Sequence, residues 1–337
     1  MDWISLSSSS SIKNHRSPNW ADFNLSGPTH LTTINWSDEY QQCCVAACLV
    51  QGIYILHQKN PGGRQWWESF HFQIAQYLKD DDSSSIVGAI FHYTGPYDAS
   101  APSIAIAFRG TATTQDWKMN YRASVNELHE TSRFQRAMEA VELVASQGGG
   151  VGRRIWLCGH SLGAALAMLV GKRMAKMGVY LDTFLFNPPF VLRRGGRILS
   201  RTAFGLLAVL SPPLLSLPMA VKYALRQRET SRAMQSIEVQ QSFANLCSWV
   251  PRLFVNPGDF ICSDYVEHFE KRKQQDRLPK PTAEELEHPF LIPSAKLVKN
   301  LCPLTKNGID ETHGLSQWWK AELKLQSKEC ICALPSP

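Results

Sequence analysis

The sequence predicts an α/β fold: one large domain with a mostly parallel central sheet, flanking helices and a helical cap insertion. Three observations carry that expectation. Short apolar β-runs alternate with helix-forming segments along most of the 337 residues, the pattern of parallel strands joined by helical crossovers. A glycine-flanked turn, Gly159-His160-Ser161-Leu162-Gly163, falls between one such strand and one such helix. From Ser161 to the acidic turn at Asp259 lie 98 residues, far more than one crossover needs, which marks an insertion.

Residues 1–30 read as a flexible polar leader. Met1 to Pro18 is serine-rich and has no apolar stretch of the kind a secretory signal carries. Residues 31–337 form the expected domain, with the cap insertion at about 190–245. Ser37-Asp38-Glu39 resembles a helix N-cap with an acidic first turn, leading into a helix over Tyr40 to His57. A second helix is expected over Trp66 to Leu78. Ile86 to Tyr93 and Ser103 to Phe108 follow as strands. A helix capped by Thr131 or Ser132 runs to about Ser146, and Gly148-Gly149-Gly150 ends it. Arg154 to Cys158 is a short strand, and Leu162 to Met177 is strongly helix-forming. Leu181 to Phe186 and Leu253 to Val255 supply two more strands. Inside the insertion, Ala203 to Leu225 is the most apolar stretch, but Pro212, Pro213 and Pro218 interrupt it. That pattern predicts two short apolar helices around a kink rather than a membrane span.

Composition narrows the function classes. A 44% hydrophobic chain with 10 Trp, 15 Phe and 9 Tyr can bury a large core. The net charge of +6 is local: Phe190 to Arg232 holds eight basic residues and one acid, so the remainder sums to −1. A nucleic-acid partner is therefore not expected. Nine cysteines without metal-type C-x-x-C spacing point to a reducing, cytoplasmic setting and to no metal site.

The chemistry centres on Ser161. A G-x-S-x-G turn that ends a strand and opens a helix throws its serine out at the sheet edge. The small residues Gly159 and Gly163 allow the sharp turn, and the backbone N–H of Leu162 faces a developing oxyanion. A serine hydroxyl needs a base and an orienting acid, which follow it in the order acid, then histidine, on this kind of scaffold. His313 stands in a loop before the last amphipathic segment, with His268 and His288 as alternatives. Asp259 follows the strand Leu253 to Val255, with Asp264 as runner-up, whereas Asp182 begins its strand at the wrong end of the sheet. Gly110-Thr111, closing the strand that ends at Phe108, offers a second oxyanion donor at Thr111. Arg109 reads as structural, paired with a carboxylate under the loop.

Four separated blocks now resemble the class 3 (fungal-type) lipase family of α/β-hydrolases over residues 85–320. They are Phe108-Arg109-Gly110-Thr111 with Trp117 beyond it, Gly159 to Ala167, Asn256-Pro257-Gly258-Asp259, and His313 near the C-terminus. Asp259 to Tyr265 and His313-Gly314-Leu315-Ser316-Gln317-Trp318-Trp319 resemble, more narrowly, a plant branch often labelled GDSL esterase/lipase. The resemblance implies an α/β-hydrolase fold and hydrolysis of acyl-lipid or other carboxylic esters. It also implies a Ser161–Asp259–His313 triad, an oxyanion hole from Thr111 and Leu162, and no metal or cofactor. Acyl transfer on the same site and a catalytically silent scaffold are the alternative functions. The segment Lys118 to Glu130 is polar where such lipases carry an apolar lid. The basic, apolar insertion is expected to cap the site and to meet anionic membrane through residues 190–232. Sedimentation with liposomes checks this: binding should rise with anionic lipid and fall with salt, and binding indifferent to both contradicts it.

Overall fold

A computed structural model describes residues 4–6, 27–28, 30–31, 33–58, 65–80, 85–111, 128–147, 154–190, 192–194, 197–199, 231–274, 288, 290–301, 309–320 and 323–332. Its strands are β1 (Ile4–Leu6), β2 (Phe72–Lys79), β3 (Ile86–Tyr93), β4 (Ile104–Phe108), β5 (Ile155–His160), β6 (Asp182–Phe186), β7 (Leu192–Arg194), β8 (Arg197–Leu199), β9 (Arg252–Val255), β10 (Ala295–Asn300) and β11 (Leu325–Cys330). Its helices are α1 (Glu39–His57), α2 (Ser132–Gln147), α3 (Leu162–Lys176), α4 (Ser231–Ser248), α5 (Asp264–Gln274) and the single turn α6 (Ile309–His313).

Nine strands form one sheet in the order β1-β11-β10-β9-β6-β5-β4-β3-β2, while β7 and β8 make a separate hairpin. The five central strands β4, β5, β6, β9 and β10 run parallel. Two antiparallel strands complete each edge. The parallel centre matches the alternation read from the sequence. The outermost pairing places β1, from the stretch read as a leader, against β11, so that leader contributes an edge strand.

Both faces of the sheet are covered. Ala105, Ala107, Trp156, Cys158, Phe184, Phe186 and Phe254 pack on one side against α1. Ile106, Leu157, Leu185, Leu253 and Leu297 pack on the other against α2, α3 and neighbouring loops. The period of two along β4, β5 and β6 divides the side chains between these cores. Helix α1 is buried on nearly every face because it lies between the sheet and the turn at Leu315–Trp318. Its N-cap is Asp38, whose carboxylate accepts from the N–H of Tyr40 at 2.8 Å.

Trp66 to Leu78 is not the helix expected. A 3-10 turn (Trp66–Phe70) is followed by His71 at φ 61° and then by β2. Strand β2 shifts register against β3 between Ile74 and Gln76 and again between Leu78 and Lys79. Each shift breaks the period-two alternation that identifies a strand in sequence. The apolar, Pro-interrupted part of the insertion, Ala203 to Leu225, lies outside the described residues, as do residues 112–127. The expected cap helices are thus not described; of the basic residues expected to face membrane, Arg193, Arg194, Arg197 and Arg232 fall within β7, β8 and α4, and the others lie outside the described residues. Its flanks are the β7–β8 hairpin and α4.

The topology fixes where chemistry can occur. The carboxyl ends of β4, β5, β6, β9 and β10 lie along one sheet edge and lead respectively into Gly110-Thr111, Ser161, Asn187, Asp259 and the segment ending at His313. That edge is where open parallel sheets hold their ligands.

Candidate active site

The turn from β5 into α3 is compressed. A Cβ placed on Gly159 would stand 2.2 Å from the carbonyl oxygen of Gly163, and one on Gly163 would stand 2.4 Å from that of Phe108. Only bare backbone fits at both positions. Between them Ser161 takes φ 53° and ψ −122°, a conformation that costs a non-glycine residue free energy and persists where packing over-determines it. The Ser161 N–H donates to the Phe186 carbonyl at 3.0 Å, tying the turn to β6. The side chain of Leu162 is buried with Leu128, Ala165, Leu169 and Phe290, which anchors the first N–H groups of α3.

Asp259 and His313 are brought together. The Nδ1 of His313 lies 2.8 Å from Oδ2 of Asp259. A carboxylate there can only accept, so Nδ1 carries a proton, and in the neutral ring the lone pair then lies on Nε2. The Asp259 carboxylate is fully buried and the His313 side chain is one-fifth exposed. Burial alone would raise the pKa of Asp259, but hydrogen bonds from His313, Asn187 and the Ile261 N–H outweigh it and hold the group below the usual carboxylate range.

The alternatives sit elsewhere. His268 lies on α5 with its ring beside Phe190 and Phe269. His288 accepts from the N–H of Phe290 at 3.3 Å. Asp264 opens α5, and Asp182 is engaged by Arg154 at 2.8 Å at the opposite end of the sheet. Thr111 follows Gly110, where an added Cβ would lie 2.9 Å from both the His160 carbonyl oxygen and Ser161 Cβ. Gly110, the residue before Thr111, thus passes beside the serine with no room for a side chain. Arg109 is buried and structural, donating to the carbonyls of Ile86 and Gly110 at 2.7 Å and to the Ser85 hydroxyl at 2.8 Å.

Several residues that organise the site were not singled out in the sequence. Tyr54 on α1 accepts from the Gly110 N–H at 2.6 Å and meets His160 Nδ1 at 2.8 Å. The other imidazole nitrogen, Nε2, lies 2.7 Å from the His313 carbonyl oxygen. Donor counting settles the directions: a carbonyl only accepts, so Nε2 of His160 donates and Nδ1 receives the Tyr54 proton. The chain from Gly110 through Tyr54 and His160 to the His313 backbone joins three loops with every polar atom used. Burial, then the neighbouring His313, pushes the pKa of His160 down to about 3, so its ring stays neutral. Gln317 donates to the carbonyls of Thr312 and Gly314 at 2.6 and 3.0 Å and accepts from Asn256 and Asn300. His160 and Gln317 lay inside quoted motifs. Tyr54 carried no local signal, because its partners are remote in the chain.

Residues 84–296 match the profile of a family described as the Alpha/beta hydrolase family. A protein of Arabidopsis thaliana named GDSL esterase/lipase is 35% identical over 345 residues, covering 91% of this chain and 97% of that one. No solved structure gives a significant match.

The depressed pKa of His160 has a consequence for acid stability. Below pH 6.5 the unfolded chain takes up a proton that the folded chain refuses until about pH 3. The stabilising contribution is therefore complete above pH 6.5 and declines as pH falls toward 3, by up to about 1.4 kcal/mol per pH unit. Urea unfolding of the parent and of His160→Gln between pH 7 and 5 should show the steeper loss in the parent, by about 2 kcal/mol. Parallel curves contradict the buried neutral imidazole.

Proposed function

Since the chain belongs to the alpha/beta hydrolase family, we propose that it cleaves carboxylic esters through Ser161, His313 and Asp259. The observation that carries this reading is the His313–Asp259 pair at 2.8 Å, on the sheet edge where Ser161 tops its strained turn. In the reaction, Ser161 Oγ attacks the ester carbonyl while Nε2 of His313 takes the hydroxyl proton. The N–H groups of Leu162 and Thr111 receive the oxyanion, each donor worth about 3 kcal/mol in the transition state. Collapse of the tetrahedral adduct breaks the ester C–O bond, and His313 returns the proton to the departing alcohol. Water then repeats the sequence on the acyl-enzyme, releasing the acid and restoring Ser161. Asp259 holds the productive tautomer and stabilises the imidazolium that forms.

Lipid acyl esters are the proposed substrate class. The name of the Arabidopsis relative, an esterase/lipase, and the apolar and basic insertion of this chain support it. Contact with anionic membrane through residues 190–232 belongs to the same reading, as does a cytoplasmic location proposed from the cysteine pattern. No described helix is long and apolar enough to cross a membrane. A silent scaffold is disfavoured by the joint presence of Ser161, Asp259, His313 and Thr111, because a scaffold needs no such set of four. Acyl transfer would use the same acyl-enzyme with an alcohol in place of water.

Labelling with a fluorophosphonate probe tests the assignment. The parent should label covalently, and Ser161→Ala and His313→Ala should lose labelling and at least about 1,000-fold in esterase kcat. A folded parent that neither labels nor hydrolyses any ester in a chain-length panel contradicts it.

A further inference from the structure

Adjacent to the Ser161 turn, the next parallel strand ends in a second strained residue. Asn187, directly after β6, has φ 46°, a left-handed conformation that asparagine tolerates better than other side-chain-bearing residues. It is fully buried, and its N–H donates to the Phe254 carbonyl at 2.9 Å. The conformation aims the carboxamide between the loops that carry the acid and the base. Nδ2 donates to Oδ2 of Asp259 at 2.7 Å and to the Thr312 carbonyl at 3.0 Å. Oδ1 accepts from the Trp318 indole at 2.8 Å. One side chain thus grips the carboxylate of the acid, the backbone of the residue before His313, and a tryptophan beyond it.

We propose that Asn187 is a positioning residue of the ester-hydrolysis site, a brace that sets the Asp259 carboxylate and the His313 loop in register. The inference rests on the triad reading above and adds a member that the Ser-Asp-His motif does not include. Its action is twofold. Holding Thr312 fixes where the His313 ring can stand relative to Ser161. Donating to Oδ2, the same oxygen that His313 uses, lowers the basicity of that oxygen and so tempers its pull on the imidazole proton. Cys262, 3.2 Å from Oδ2, is a further neighbour of the carboxylate. Among the described residues, the titratable groups that interact with the pair include the neutral His160 and the Cys262 thiol, whose pKa burial pushes well up. The protonated Cys262 thiol adds no negative charge beside Asp259.

Two substitutions separate the brace from mere packing. Asn187→Gly keeps the left-handed backbone accessible and deletes only the carboxamide. It should lower kcat for a soluble ester by about 10- to 100-fold with KM nearly unchanged. The acid limb of its kcat/KM profile should move to higher pH, because Oδ2 then attracts the His313 proton more strongly. Asn187→Asp puts a second carboxyl beside Asp259, where two such groups share one proton; its single O–H can serve only one of Oδ2 and the Thr312 carbonyl, so kcat should fall at least as far as in Asn187→Gly. The low-field proton resonance of His313 Nδ1–H, recorded on parent and Asn187→Gly full-length protein, reports the pair without turnover and should shift or broaden in the variant. Folded variants with a lowered unfolding temperature but unchanged kcat, acid limb and Nδ1–H resonance overturn the proposal. An inert parent would contradict the hydrolase reading, while the Nδ1–H comparison would still decide whether Asn187 braces the pair: a changed resonance supports the brace and an unchanged one overturns it.

Discussion

The carboxylate of Asp259 is a full charge with no exposed surface, and the arrangement around the site follows from keeping it there. An ion taken out of water loses several kcal/mol of hydration unless donors replace it. Here the Ile261 N–H donates to Oδ1 at 3.0 Å, and Asn187 Nδ2 and His313 Nδ1 lie 2.7 and 2.8 Å from Oδ2. These donors come from the acid's own loop, from the end of β6, and from the segment after β10. Satisfying the charge therefore requires three stretches of chain to converge at one point. The convergence commits one nitrogen of His313 to Asp259 and leaves the other for the proton transfer proposed for it.

The loop of the proposed base, His313, is held from several directions. Thr312 offers its carbonyl to Asn187 and Gln317, His313 offers its own to His160, and Gly314 to Gln317. Gln317 is gripped in turn by Asn256 and Asn300 at the ends of β9 and β10, so the rigid parallel centre of the sheet sets the loop's position. On the other side, the Tyr54–His160 chain ties the same loop to Gly110. The residue proposed to bind the oxyanion, Thr111, and the one proposed to move the proton, His313, are thereby referenced to the strand that presents Ser161. Preorganisation of this kind lets donors stabilise a transition state without reorganising during the reaction.

The parts of this architecture that depend on local sequence were legible before any coordinates. Strands β3 to β6 and helices α1 to α3 announce themselves by periodicity, caps and glycine breaks, and the Gly159 to Gly163 turn by its close-packed small residues. The Asp259–His313 pairing was legible from chain order, an acid directly after a strand and then a histidine in a late loop, with Asp264, His268 and His288 as alternatives. What escaped depends on register or on distant contacts. The bulges of β2 erase its alternation, and β1 is too short to separate from a polar leader. Tyr54 and Asn187 act through partners more than 50 residues away. Asn187 left one trace, an asparagine between a strand and a Pro-Pro pair, which turn chemistry alone can explain.

The most direct measurement of the central claim is the steady-state ester hydrolysis of Asp259→Asn beside the parent, with both shown folded. An amide at this position can donate to Nδ1 and so stabilises the wrong imidazole tautomer. The account predicts a kcat lower by about 1,000- to 10,000-fold at neutral pH, with KM little changed. Near-parent turnover in the folded Asp259→Asn protein would show that the buried carboxylate does not orient the base, and would contradict the account.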